Sequence, residues 1–181
     1  MLKNLFTISL FAFLLSQTSS GSAQALPTAT GRGAFQVGGG WSLASPDYGQ
    51  KNIQGISGFA DLDLGLHWGV EGDIHYLSLI TPTDLAENSY FVGPRFIYPR
   101  GRFKLYAKAM IGVGDLVIQE TQDNQGVPAG TNFAYSFGGG VDIPIRQHIV
   151  IRAFDFEFQH WQYLTGLTPM VYTVGAAYRF R

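Results

Sequence analysis

Residues 133–143, FAYSFGGGVDI, alternate between two kinds of side chain. Large apolar residues stand at Phe133, Tyr135, Phe137, Val141 and Ile143, and small or polar residues stand between them. Successive side chains of a β-strand point to opposite faces, so this stretch predicts a strand with one apolar face and one small, polar face. The three consecutive glycines at 138–140 then lie inside a strand and are not a phosphate-binding loop.

The same two-residue period occurs in seven further stretches. They are residues 33–43, 61–66, 70–76, 89–96, 104–113, 154–159 and 172–180. The connections between the eight stretches alternate between long (44–52, 79–87, 115–130, 161–169) and short (67–69, 99–102, 146–148). Antiparallel strands joined in this way have all short turns at one end and all long loops at the other, as in membrane-spanning barrels. The predicted fold is all-β, an eight-stranded antiparallel up-and-down transmembrane β-barrel.

Composition excludes several other classes of protein. The chain has 181 residues, which fits one compact domain, and it contains 23 glycines, no cysteine and only 14% charged residues. The lack of cysteine excludes a disulfide scaffold, and a net charge of −1 gives no basic excess with which to bind nucleic acid. A hydrophobic fraction of 46% excludes a disordered chain.

The two faces of the predicted strands indicate which solvent each one meets. The large apolar face of the eight stretches carries no charged residue, and a Lys or Arg at a bilayer midplane costs about 2–4 kcal/mol. We therefore predict that this face contacts lipid and that the small, polar face fills a narrow lumen. Six aromatic residues near strand ends are predicted to form interfacial girdles: Trp41, Tyr76, Tyr90, Tyr135, Tyr172 and Tyr178. The alternative is core packing in a soluble sandwich or a lipocalin-like carrier.

The first 25 residues have the organisation of a secretory signal peptide. Lys3 precedes an apolar run at residues 5–15, and Ala23 and Ala25 form a small-x-small cleavage site. The apolar run is too short for a membrane-spanning helix, which needs around 20 residues. We predict cleavage before Leu26 and a barrel domain over residues 26–181; an uncleaved anchor is the alternative.

Eleven charged residues fall on the predicted inner face. They are Asp61, Asp63, Glu71, Asp73, Arg95, Lys104, Lys108, Asp142, Asp155, Glu157 and Arg179. Because an unpaired buried charge is very costly, we predict an ion-pair network in which Arg95, Lys104 and Lys108 contact acids of neighbouring strands. The alternative is a narrow, water-filled channel lined by unpaired charges.

Two residues are irregular in the predicted closed sheet. Arg152 shares the phase of Phe154 and Phe156, so either it reaches the membrane interface or a bulge before Phe154 turns it inward. Pro94 lacks a backbone N–H within a closed sheet that has no free edge, and we predict a bulge there as well.

The end of the chain resembles a known family. Residues 173–180, TVGAAYRF, contain a glycine followed by two aromatic residues at alternate positions, and Arg181 follows as one extra residue. Together with the eight strands and the signal peptide, this run resembles the small outer-membrane β-barrel family, of the outer-membrane-protein-A transmembrane-domain type. The resemblance implies location in the bacterial outer membrane, contact with its lipid, and insertion by the barrel-assembly machinery, which would recognise Gly175, Tyr178 and Phe180. We expect a monomer.

The four histidines are the candidate catalytic residues, because some barrels of this kind modify lipid A. His75 and Ser78 are three residues apart and so face opposite sides of a strand, while His67 and His148 fall in short turns and His160 lies at a loop boundary. No nucleophile and base are brought together by this spacing, and no ligand set has the spacing of a metal site. We therefore predict no catalytic residue, cofactor or metal.

The predicted function is structural or surface-interacting, through the four long loops. The loop at 115–130 is the longest and the richest in polar turn residues, which makes it the preferred contact for an unknown extracellular ligand. The alternatives are a small-solute channel and a lipid-modifying enzyme.

Overall fold

The computed structural model describes residues 33–47, 52–77, 85–118, 130–162 and 166–180. The predicted signal peptide with Ala23 and Ala25 lies outside the described residues, as do residues 48–51, 78–84, 119–129 and 163–165 of the long connections. Within them, no helix is long and apolar enough to cross a membrane.

Eight antiparallel strands form one closed barrel, which confirms the predicted fold. They are β1 (Ala34–Ser45), β2 (Ile53–Asp63), β3 (Trp68–Leu77), β4 (Leu85–Arg100), β5 (Phe103–Ile118), β6 (Thr131–Pro144), β7 (Ile149–Trp161) and β8 (Met170–Phe180). Each strand pairs with its sequence neighbours, and β1 closes the barrel against β8 with Phe35 opposite Phe180. The short connections 64–67, 101–102 and 145–148 share one end with both barrel termini, and the long connections share the other.

Alternation of side chains places the two faces as the sequence indicates. The outer face carries the large apolar residues, among them Val92, Ile111 and Phe137, all more than half exposed. Trp41, Tyr76, Tyr90 and Tyr178 also lie on this face. At the short-turn end, the rings of Trp68 and Phe96 meet edge to face, and Tyr98 and Phe103 are also exposed on the outer face.

The second predicted strand extended too far. β2 ends at Asp63, and Leu64 and Leu66 lie in the following turn, where each is 58% exposed. Leu64 and Leu66 continue the alternating sequence pattern of β2, although the strand itself has ended. The turn therefore presents two leucines at the short-turn edge of the apolar outer face.

The bulge predicted at Pro94 is wrong. Pro94 pairs with Val70 in the same register that joins the rest of β3 and β4. On its other side, the β4–β5 ladder stops after Val92 and resumes at Arg95 without a shift. Gly93 lies so close to β5 that an added Cβ would overlap the carbonyl oxygen of Ala109. The β4–β5 ladder is therefore interrupted at Pro94, where the N–H is missing, but it contains no extra residue and so no bulge.

A bulge does occur at Arg152. Asp142 pairs with Arg152, while the preceding residue, Val141, pairs with Phe154, so Ala153 has no partner on β6. The β7–β8 ladder shifts at the same place, between Arg152 and Asp155. The extra residue reverses the side-chain phase of β7, and Arg152 consequently points into the lumen with 1% exposure.

Candidate functional site in the barrel lumen

The centre of the lumen holds three buried cations among six buried carboxylates. The cations are Arg95, Lys108 and Arg152, and the carboxylates are Asp61, Glu71, Asp73, Asp142, Asp155 and Glu157. We call these nine residues the lumenal network. Its members come from six of the eight strands, so it connects nearly the whole circumference of the barrel.

Two arginines share three carboxylates on one side of the network. Arg95 lies 2.7 Å from Asp61 and 2.5 Å from Asp142, and 3.2 Å from Glu71. Arg152 lies 3.0 Å from Asp61, 3.2 Å from Asp142 and 2.9 Å from Glu71. A planar guanidinium has five donors and can bridge several acceptors at once, which suits both positions. Gln36 on β1 extends this group with amide hydrogen bonds to Asp61 and Asp142.

Aromatic rings cover both guanidinium groups. Arg152 lies over the ring of Phe59, 3.6 Å from its centroid, and Arg95 lies over the ring of Tyr106 at 3.9 Å. Tyr106 donates its hydroxyl hydrogen to Asp155 at 2.6 Å. The rings therefore exclude water from the arginines while the phenol joins them to the acids around Lys108.

Lys108 occupies the other side of the network. Its Nζ lies 2.9 Å from Glu71, 2.5 Å from Asp73, 2.9 Å from Asp155 and 3.1 Å from Glu157, and its side chain is fully buried. Glu71 contacts Lys108 and both arginines, so it links the two halves. Breaking one partner of a buried pair costs about 3–5 kcal/mol, because it leaves an uncompensated charge.

The remaining predicted charges lie beside the network. Lys104 contacts Asp63 at 3.2 Å near the short-turn end, and its side chain is 25% exposed. Arg179 lies in the lumen wall and donates to the amide oxygen of Gln36 at 2.8 Å instead of to a carboxylate. Arg95, Lys104 and Lys108 thus each lie against acids of other strands, whereas Arg179 reaches them only through an amide.

Sequence reasoning missed three contributors to this site and gave two alternatives for a fourth. Gln36, Phe59 and Tyr106 lie on the inner phase, but a neutral residue gives no signal that it will contact a charge. For Arg152 the sequence allows both an interfacial and a lumenal position, because the bulge that orients it has no local sequence signature. Its charge inside an otherwise apolar strand face was the available clue.

An apolar cluster fills the lumen toward the long connections. It consists of Ala44, Ile53, Leu77, Phe91, Met110, Ala134, Trp161 and Val171. Gly114 makes room for the Trp161 ring, since a Cβ there would lie 2.5 Å from Trp161 Cδ2. Trp161 also donates through Nε1 to Gln159 at 3.0 Å, and Gln159 donates to Glu157 at 2.9 Å. The apolar cluster is therefore joined to the lumenal network by a short hydrogen-bonded chain.

The histidines occupy different environments. His75 is buried in the lumen, whereas His160 lies against the ring of Tyr135. His67 and His148 lie at short turns, and His148 Nδ1 is 3.0 Å from the carbonyl oxygen of Arg179. Ser78, the partner considered for His75, lies outside the described residues.

A closed eight-stranded sheet with an apolar outer face and a charged, filled lumen defines an outer-membrane type of β-barrel. The family described as outer membrane protein beta-barrel domain matches residues 11–180, and the chain belongs to this family. The protein is accordingly a bacterial outer-membrane barrel.

Individual relatives agree with this assignment. A 22 kDa outer membrane protein of Rhizobium leguminosarum bv. viciae is 26% identical over 141 residues, covering 71% of this chain and 63% of the relative. The chain therefore spans less than two thirds of that protein's length.

Solved structures share the fold. The outer membrane protein OprG of Pseudomonas aeruginosa gives a TM-score of 0.62 at 13% identity, covering 83% of this chain and 97% of OprG. Ail, the attachment invasion locus protein of Yersinia pestis, gives 0.54 at 18% identity, covering 82% of this chain and 99% of Ail.

Proposed function

We propose that this barrel has a closed lumen and serves as a structural scaffold that presents its long connections at the cell surface. The observation that carries the proposal is the filling of the lumen by the lumenal network and the apolar cluster. Eight strands enclose just enough room for side chains, which favours a packed interior over a pore.

Passage of an ion through this lumen would be costly. The ion would have to displace Lys108 from four carboxylates and then cross the cluster around Phe91 and Trp161. Apolar groups cannot replace the hydration shell of an ion, so this region is a barrier even to a small one. These contacts support the scaffold over the alternative of a small-solute channel.

The environment of the histidines supports a role without catalysis. Ser57 and Ser89 are the cross-strand neighbours of His75. The two serine hydroxyls and His75 Nδ1 have no hydrogen-bond partner among the described residues. A nucleophilic serine needs a base within hydrogen-bonding reach and access to substrate, and His75 is only 2% exposed.

Solute uptake by proteoliposomes tests the closed lumen. The folded barrel is reconstituted into liposomes, and separate liposomes with a general porin are the positive control. Folding is verified by the shift in gel mobility on heating. We expect swelling rates in small sugars equal to those of empty liposomes. Porin-like swelling would refute the scaffold proposal and favour the channel.

Surface presentation has a separate test. An epitope inserted within residues 119–129 should bind antibody on intact cells, whereas an epitope in the short turn at Gly101 should bind only after the outer membrane is permeabilised. The opposite pattern would contradict the proposed orientation. The same cells provide the mature protein for N-terminal sequencing, which should begin at Leu26 if residues 1–25 are a cleaved signal peptide.

A further inference from the structure

Three buried side chains with metal-binding chemistry converge beside Lys108. Asp73 and His75 extend from β3 and Glu157 from β7, and one ligand atom from each lies within 4.8 Å of the other two. All three side chains are at most 3% exposed. Spacing along the sequence did not reveal this group, because Glu157 lies on a different strand across the lumen.

Several atoms of this group lack hydrogen bonds. His75 Nδ1, Asp73 Oδ1 and Glu157 Oε2 are buried and have no hydrogen-bond partner among the described residues, although Glu157 Oε2 is paired with Lys108 at 3.1 Å. Nearly all buried polar atoms in native proteins have a partner. The imidazole nitrogen of His75 has no such partner in the described part of the chain and lies next to two carboxylates. This arrangement points to a bound ligand that is the missing partner.

The charge of the surroundings indicates the sign of that ligand. The lumenal network contains three cationic side chains and six carboxylates, so the acids are in excess. Lys108 binds Asp73 through Oδ2, which leaves Oδ1 for another cation. It also contacts Glu71 and Asp155, which can hold it if an ion takes a larger share of Glu157.

We propose that Asp73, His75 and Glu157 form a binding site for one divalent transition-metal ion, with Zn²⁺ as the best match. One imidazole and two carboxylates are ligands that Zn²⁺ accepts, at about 2.0–2.2 Å, and three protein ligands leave a position for water. The ion would add a cation to a network in which carboxyl groups outnumber basic groups, and it would connect β3 with β7.

Binding at a buried site is coupled to folding. The ligands are assembled only in the closed barrel, so the ion stabilises the folded state over the unfolded one. A metal bound during folding should also be retained through a chelator wash, because the apolar cluster and the network cover the site.

The test is metal retention by the full protein, purified without a histidine tag and refolded into detergent with Zn²⁺. After a chelator wash, plasma mass spectrometry should find about one zinc per folded barrel, because the buried site holds one ion. His75→Gln and Glu157→Gln should lose it, and the control His160→Gln, whose imidazole lies against Tyr135, should retain it. Zinc should raise the urea midpoint of the wild type and not that of His75→Gln.

A second measurement does not depend on the variants folding. Refolding with Co²⁺ should give the visible absorption of a low-symmetry site with nitrogen and oxygen ligands. Wild-type protein that retains no zinc and shows no cobalt absorption would overturn the proposal. Zinc that is retained equally by folded His75→Gln would overturn it as well, since the metal would then lie elsewhere.

Discussion

Asp142 and Arg152 are partners in two senses: they face each other across the β6–β7 ladder, and Arg152 Nε lies 3.2 Å from Asp142 Oδ1. The ladder position exists only because Ala153 has no partner on β6. A local irregularity of the backbone thus turns a cation from the lipid face into the lumen, where it meets three carboxylates.

Deleting Ala153 should destroy this arrangement. The deletion restores strict alternation in β7. Either Arg152 then points toward lipid, or the residues that follow it point to the wrong face of the barrel. We expect no heat-modifiable folded band after refolding into detergent. Ala153→Ser, which keeps the chain length, should fold normally, and normal folding of the deletion variant would show that the bulge is dispensable.

Lys108 and Lys104 are a matched pair on β5. Lys108→Met should lower the unfolding free energy by about 3–5 kcal/mol, since four buried carboxylates each lose a cationic partner. Lys104→Met should cost about 0–1 kcal/mol, because its single ion pair is partly exposed. Equilibrium urea unfolding in detergent measures both values. Equal losses would mean that the network contributes no more than a surface pair.

Packing of Trp161 on Gly114 is tested by adding one methyl group. Gly114→Ala places a Cβ against the indole and should cost about 1–3 kcal/mol with a shift in tryptophan emission. Gly72→Ala is the control, because the nearest atom to its Cβ would be 3.7 Å away. An unchanged emission spectrum in Gly114→Ala would contradict the described position of the ring.

The lipid face is tested by two changes to arginine. Ile74→Arg, in the outer face of β3, should cost about 2–4 kcal/mol, whereas Leu66→Arg, in the short turn, should cost about 0–1 kcal/mol. Unfolding from lipid vesicles measures the difference. If both variants lost the same stability, Ile74 would not lie deeper in the bilayer than Leu66.

The assembly signal is tested by separating insertion from stability. Phe180→Ser should reduce the amount of folded protein in the outer membrane of living cells, because the assembly machinery would recognise Gly175, Tyr178 and Phe180. The purified variant should refold into detergent with an urea midpoint near that of the wild type. Phe35→Ser, at the paired position on β1, is the control and should insert normally. Normal insertion of Phe180→Ser would contradict the proposed role.

Sequence patterns predicted most of the fold, because alternation is a direct consequence of strand geometry and the strands display it outside the bulge in β7. The inward direction of Lys108 and Glu71 followed from the same rule. The outcome at Pro94 and Arg152 did not, since a ladder can absorb an irregular residue by losing hydrogen bonds or by adding a residue. Which of the two occurs depends on neighbouring strands. Partners across the lumen, such as Glu157 for His75, depend on closure and shear of the whole barrel.

Single-channel recording in planar bilayers tests the closed lumen most directly. Folding of the wild-type protein is verified by its heat-dependent gel mobility, and a porin in a separate bilayer is the positive control. The wild-type barrel is predicted to give a current equal to that of the bare bilayer. Stable, reproducible conductance steps from the wild-type barrel would contradict the account, because they would require a continuous path past Lys108 and Trp161.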